Sequence, residues 1–378
     1  MAEHVLILGG GFGGLTAGVE LKNACGEDVR VTIVDREPDY HMGLTKLWVA
    51  TGSRSAASCL HPRSGVERHG IDFVQASVRK IDIANRSVQT DDASLEYDRL
   101  VVALGLDVDA SAVPGIAEHG LNLYSLQGAE QIAPALRESP RRILVTICST
   151  PFKCPPAPYE ASMMIRDVVG ASAAIEVTSP EPRPFPILPP EAGERVVAML
   201  AERDITYAPG AKIVEAEAGT ARYEDGSERN FDVLIVVPPH RPAALLADTG
   251  LTDGSGLVVV DRETLRTQAP NVYALGDCAK VLSYTEMPIP RTGNLAERQA
   301  SVVAKNIASE IRGDEPAARF DGRGYCWVET GGQKAMRAEG EFFGRPHPIG
   351  HFAVAPDEAG YRDKVAFEKE RLAAWFGR

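Results

Sequence analysis

Apolar residues in this chain come in short unbroken runs, not in alternation with polar ones. His4-Val5-Leu6-Ile7-Leu8, Leu100 to Leu104, Arg142 to Cys148 and Phe231 to Val237 are largely of this kind, and Val29 to Val34 and Ala173 to Val177 are apolar stretches interrupted by Arg30, Thr32 and Glu176. A strand covered on both faces needs such a run, and parallel sheets supply that environment. Between the runs, Leu15 to Ala24, Ala192 to Arg203 and Arg291 through Ile311 carry helical patterning. Strands alternating with helices predict βαβ units and an α/β fold. Weaker strand signals fall at Ile71 to Val74, and hairpin-like strands are expected near Ile213 and Ala221.

The turns between these elements carry the first chemistry. Gly9-Gly10-Gly11-Phe12-Gly13-Gly14 follows the first strand and opens the first helix, with glycine at all three fingerprint positions, Gly9, Gly11 and Gly14. The second strand ends at Asp35, about twenty residues past the loop, where an acid meets an adenosine ribose. Strand, loop, helix, strand and acid in this order predict a Rossmann-like dinucleotide site at the amino terminus. A second such site is expected after Arg142 to Cys148, but there the sequence is Ser149-Thr150-Pro151-Phe152-Lys153-Cys154-Pro155-Pro156-Ala157-Pro158-Tyr159-Glu160. It has no glycine, four prolines and a thiol. Proline has no N–H and a fixed φ, so this loop cannot cradle a pyrophosphate as glycines do. Lys153 beside Cys154 favours a thiolate, and Glu160 lies six residues on as a candidate base.

The expected organisation is two Rossmann-like dinucleotide-binding domains, the first discontinuous, plus a short C-terminal segment. Residues 1–107 and 249–320 form the first, 108–248 the second with a degenerate nucleotide site, and 321–378 a C-terminal interface segment. The chain returns to the first domain at Asn271 to Ala279, an apolar strand ending in Gly276-Asp277. Gly105 ends an earlier strand, and Thr292-Gly293 opens the long helix that follows.

Bulk properties narrow the function. The chain has 378 residues and a formal net charge of −12, so it lacks the basic surplus that nucleic-acid binding needs. No run approaches the roughly 18 apolar residues of a membrane span, and no leader pattern is visible, so a cytoplasmic protein is expected. Six cysteines in a chain this long do not make a disulfide-stapled scaffold. None has zinc-like spacing, so no metal site is expected.

The Lys153-to-Glu160 segment, Val237-Pro238-Pro239-His240, Gly250-Leu251-Thr252, Trp48-Val49-Ala50 and the Gly324-to-Glu329 stretch around Cys326 together resemble one family. It is that of the sulfide:quinone oxidoreductases and the flavoprotein subunit of flavocytochrome c sulfide dehydrogenase, and the likeness spans nearly the whole chain. The resemblance implies FAD held by Gly9, Gly11, Phe12, Gly13, Gly14, Asp35, Gly105, Gly276, Asp277, Thr292 and Gly293. It implies a redox pair of Cys154 and Cys326, with Glu160 taking a proton. Sulfide, or a related small thiol or persulfide, would open the disulfide, and a quinone or other acceptor would collect the electrons from FAD. Tyr40-His41-Met42 stands where the cytochrome-linked branch attaches flavin to a cysteine, so noncovalent FAD is expected. The third cysteine common in the quinone branch is missing, since none lies between Cys59 and Cys148. Of the remaining cysteines, Cys148 reads as buried in its strand and Cys278 as packing at a helix start. Trp327, Phe342 and Phe343 are candidates for a quinone pocket, with core packing the alternative. Val365, Phe367, Leu372, Trp375 and Phe376 form a stripe on a last helix, suited to core packing, a homodimer or a peripheral foot on the inner membrane. Two rival functions stay open: an NAD(P)H-dependent disulfide or quinone reductase, and a non-catalytic flavin-binding redox sensor or partner subunit.

Overall fold

The computed structural model describes residues 2–352 and 355–377. Two five-stranded parallel sheets dominate it. The first runs in the order Val272–Ala274, Arg99–Val102, Glu3–Leu8, Val29–Asp35, Asp72–Gln75. The second runs Gly120–Asn122, Val233–Val237, Arg142–Ile147, Ala174–Thr178, Ile205–Ala208. The unbroken apolar runs are the central strands of these sheets. Val5 to Leu8 and Val233 to Val237 are buried throughout, which alternating polarity would forbid. Each sheet also carries a three-stranded antiparallel sheet, 78–96 and 213–230.

The first helix, Phe12–Cys25, starts inside the glycine loop, three residues before the periodicity placed it. Two glycines allow this. Gly9 has φ +105°, and a Cβ there would lie 2.3 Å from the Ala103 carbonyl oxygen. A Cβ on Gly14 would lie 1.8 Å from the Gly9 carbonyl oxygen. Strand end, loop and helix are therefore compressed to a spacing that no larger residue permits. In the second sheet the matching helix, Ala157–Val169, follows the proline-rich loop. Proline suits the first turn of a helix, so the prolines that preclude a phosphate cradle also start this helix.

The last part of the chain is a three-stranded antiparallel sheet, Arg323–Gly331, Lys334–Glu341 and Ile349–Phe352, followed by the helix Glu358–Phe376. It belongs to neither parallel sheet and packs on the cores of both. Trp327, Phe342, Phe367, Leu372, Trp375 and Phe376 join the core of the first sheet. Val328 and Met336 join that of the second. The expected apolar stripe of the last helix is thus spent inside the protein, and Phe367, Leu372, Trp375 and Phe376 are unavailable as a membrane foot. Trp375 stands edge-on to Phe12 and Tyr40, with centroids 5.3 and 5.5 Å away. Among the described residues no helix is long and apolar enough to cross a membrane.

Trp375 is 2% exposed. Trp375→Ala leaves a large apolar void, for which about 3–5 kcal/mol is expected. Urea denaturation of the purified protein measures it, and a loss under about 1 kcal/mol would show that the last helix is not held by this cluster.

Candidate active site

The glycine loop, the Gly276-Asp277 turn, the start of the Gly293–Arg312 helix, the Cys154 loop and the C-terminal sheet converge on one cavity of about 310 Å³. Gly11, Phe12, Gly13, Gly105, Gly276, Asp277, Thr292, Gly293, Cys154, Glu160 and Cys326 all line it. A Cβ built on Gly11 or Gly105 meets nothing within 4 Å, so the backbone is open to a ligand at both. The buried Tyr40 hydroxyl on the wall has no hydrogen-bond partner in the protein. Thr292 caps the Gly293–Arg312 helix, its side chain accepting from the Leu295 N–H at 3.2 Å. That helix presents its positive end to the cavity. A glycine-lined slot meeting a second helix terminus fits a flavin dinucleotide.

Asp35 takes a local part. One carboxylate oxygen accepts the Gly10 N–H at 2.7 Å and the other accepts the Glu37 N–H at 2.9 Å, so the side chain braces the glycine loop. Gly14 lies beneath that loop, against Gly9. Arg63, which the sequence did not mark, lies 3.6 Å from Asp35 and donates to the Gly10 carbonyl at 3.0 Å.

Cys154 and Cys326 come from distant parts of the chain and meet here as free thiols. The Cys154 thiol is a hydrogen-bonding neighbour of Cys326, and this contact, reinforced by burial, pushes the Cys326 thiol well above its ordinary pKa. Cys154 has φ +52°, a left-handed conformation that costs a non-glycine residue about 1–3 kcal/mol. Three contacts hold it there. Its N–H donates to the Arg291 carbonyl at 2.6 Å, and its carbonyl accepts the Tyr124 hydroxyl and the Ala157 N–H, each at 3.0 Å. Strain kept in place by surrounding bonds is typical of functional positions.

Glu160 is not a free base. Its side chain is 2% exposed and one oxygen lies 2.7 Å from the Lys364 ammonium. The same oxygen accepts the Glu329 N–H at 2.8 Å. Lys364 in turn meets the Glu329 carboxylate at 2.9 Å, which also accepts from the Trp48 indole at 3.1 Å. Burial raises the Glu160 carboxyl above the ordinary range, opposed by Lys364. Lys364 stands just before the apolar stripe and gives no local signal of its role. Glu329, three residues beyond Cys326, gives only a faint one.

The start of the Ala157–Val169 helix offers nothing to a nucleotide. Pro156 and Pro158 lack N–H groups, Ala157 donates to the Cys154 carbonyl, and Tyr159 and Glu160 both donate to the Pro156 carbonyl. Tyr159 packs edge-on against Phe185 and Tyr207, centroids 5.9 and 6.0 Å away, at the neighbouring strand ends. Of the expected quinone-pocket aromatics, Trp327 lines the cavity and Phe342 lines a smaller apolar hollow behind Cys326. Phe343 lines neither; it packs on Phe320 and Tyr284.

The family model for pyridine nucleotide-disulphide oxidoreductases matches residues 3–148 and 156–300. The chain belongs to that family. The match skips residues 149–155, the segment that carries Cys154. The chain is 25% identical to the mitochondrial sulfide:quinone oxidoreductase of Mus musculus, over 91% of this chain and 79% of the mouse protein. It is 24% identical to a type II NADH:quinone oxidoreductase of Staphylococcus aureus, over 96% of this chain and 94% of that protein. The X-ray structure of the sulfide:quinone oxidoreductase from Aquifex aeolicus superposes with a TM-score of 0.89 at 20% identity, covering 100% of this chain and 92% of that one. The protein is a flavin-dependent oxidoreductase of the two-dinucleotide-domain fold.

Lys364→Met strands two buried carboxylates, an expected loss of about 3–5 kcal/mol near neutral pH. A carboxyl whose folded pKa is raised binds protons more readily folded than unfolded, so its burial costs most above that pKa. The deficit should therefore shrink between pH 8 and pH 5, as read by urea midpoints. A deficit that is constant or larger at pH 5 would mean that the triad is not held by charge.

Proposed function

We propose that the protein oxidises sulfide, or a closely related small sulfur anion, through a Cys154–Cys326 redox disulfide, and that FAD passes the electrons to a quinone. The observation that carries this reading is the pairing of two thiols on the cavity wall, beside a helix start with no donors left for a nicotinamide nucleotide. The similarity to the mouse and Aquifex aeolicus enzymes supports both the sulfur donor and the quinone.

The residues suggest an order of events. Hydrosulfide attacks the Cys326 sulfur of the disulfide, the S–S bond breaks, and Cys154 leaves as a thiolate. The incoming sulfur stays on Cys326 as a persulfide and keeps its proton. In thiol–disulfide exchange the better-stabilised thiolate leaves, and Cys154 is the one beside Lys153. Cys326 borders both the cavity and the apolar hollow lined by Phe185, Leu188, Phe342 and Phe352, a route for an acceptor to collect the persulfide sulfur. FAD, when bound, supplies a two-electron sink for re-forming the disulfide. Proton movement at the cavity wall runs through the Lys364–Glu160 pair, because Glu160 has no unshared charge. Tyr325, Trp327 and Phe367 form an aromatic side of the cavity suited to a planar quinone ring.

The Staphylococcus aureus relative motivates a second reading, NADH-dependent quinone reduction. Anaerobic titration of the holoprotein separates the two. Sulfide is expected to bleach the flavin absorbance within the mixing time while NADH leaves it unchanged, and Cys154→Ser should slow the sulfide reaction at least about a hundredfold. Bleaching by NADH and not by sulfide would replace the first reading with the second.

A further inference from the structure

Lys46 lies in the first turn of the short helix Thr45–Ala50 and points into the cavity from the side facing Cys154. Its ammonium donates to the Tyr124 carbonyl at 3.0 Å. Among the described residues it forms no ion pair with a carboxylate, so its other N–H groups have no anionic partner. The Tyr124 hydroxyl holds the carbonyl of Cys154, so Lys46 and the strained cysteine are fastened to the same residue. Two cations stand near it, Lys153 from the Cys154 loop and Arg291. Among the described residues the Lys153 ammonium meets only the Leu106 carbonyl, at 3.3 Å. His41 and His240 also face the cavity side, but burial lowers them to about 4 and about 3, so both are neutral imidazoles near pH 7, and Asp277 is the carboxylate that faces this group. Burial, and then the neighbouring Lys153 charge, lower Lys46 to about 7. The Cys154 thiol lines the same wall, and as a thiolate it would favour the charged form of Lys46, as Asp277 does.

We propose that Lys46 is a positioning and charge-compensating residue for Cys154, held by the Tyr124 carbonyl and paired with the thiolate once the Cys154–Cys326 bond opens. This rests on the redox role proposed for that pair. It assigns Lys46 the task of making Cys154, and not Cys326, the leaving sulfur.

The test reads the thiol directly. The FAD-loaded protein is reduced with a phosphine and exposed to iodoacetamide from pH 5.5 to 9, and alkylation of each cysteine is followed by peptide mass spectrometry. Lys46→Met should slow alkylation of Cys154 about tenfold at pH 7 and move its pH profile upward, with Cys25 unaffected as internal reference. Lys46→Gln keeps a donor to the Tyr124 carbonyl and drops the charge, so it should follow Met, whereas Lys46→Arg should stay near the parent protein. A Gln variant that alkylates at the parent rate across the range overturns the proposal, as does an Arg variant as slow as Met. Either result leaves the redox pair standing. The pair itself fails if Cys154→Ser retains rapid bleaching by sulfide.

Discussion

A buried ion triad holds the active site together. Glu160 begins the helix after the Cys154 loop, Glu329 lies three residues past Cys326, and Lys364 comes from the last helix. The three segments belong to different parts of the fold, and Lys364 meets both carboxylates within 3 Å. Buried ion pairs give little net stability, but removing one partner is costly. The triad thus acts as a register pin. The two cysteines face each other only while the C-terminal sheet is seated on the second parallel sheet, and the lysine fixes that seating. The Trp48 indole and the Glu329 N–H complete the hydrogen bonding that two carboxylates need out of water.

The second half of the molecule keeps a dinucleotide-binding scaffold whose binding end has been rebuilt. The sheet, its strand order and the following helix remain, while the loop between strand and helix has exchanged free N–H donors for prolines and a thiol. The Cys154 N–H is taken by the Arg291 carbonyl and those of Ala157, Tyr159 and Glu160 close on the loop itself, while Tyr159 packs against Phe185 and Tyr207. In the first Rossmann unit the backbone lining the cavity is open at Gly11 and Gly105. One family fold thereby provides one dinucleotide slot and a pair of thiols facing it.

Much of this was legible in the sequence. The central strands of both sheets follow apolar runs and could be read from the sequence, as could the glycine loop from the close approaches it requires, whereas the edge strands Gly120–Asn122 and Ile205–Ala208 carry no such run. The missing second loop was visible as prolines and a cysteine where glycines belong. The resemblance that named Cys326 did so through its neighbours Gly324 to Glu329. What stayed hidden depends on pairs remote in the chain. Lys364 looks like one polar residue beside an apolar stripe, and nothing near it signals that it meets Glu160, 204 positions away. Glu160 reads as a candidate base in the sequence because its partner Lys364 is remote. Lys46 is equally silent, since its significance lies in Lys153, Asp277 and the thiol near it. The stripe of the last helix was ambiguous between core and membrane because periodicity shows a face and not what covers it.

The central claim is that Cys154 and Cys326 form one redox pair spanning two parts of the fold. Peptide mapping without reduction tests it most directly. The oxidised protein is digested after blocking free thiols, and the sample is compared with one given a single equivalent of sulfide anaerobically. The account predicts a peptide pair joined through Cys154 and Cys326 before sulfide. After it, Cys154 should be blocked as a thiol, with one additional sulfur atom on the Cys326 peptide. Both cysteines blocked as separate thiols in the oxidised protein, with no added sulfur after sulfide, would contradict it.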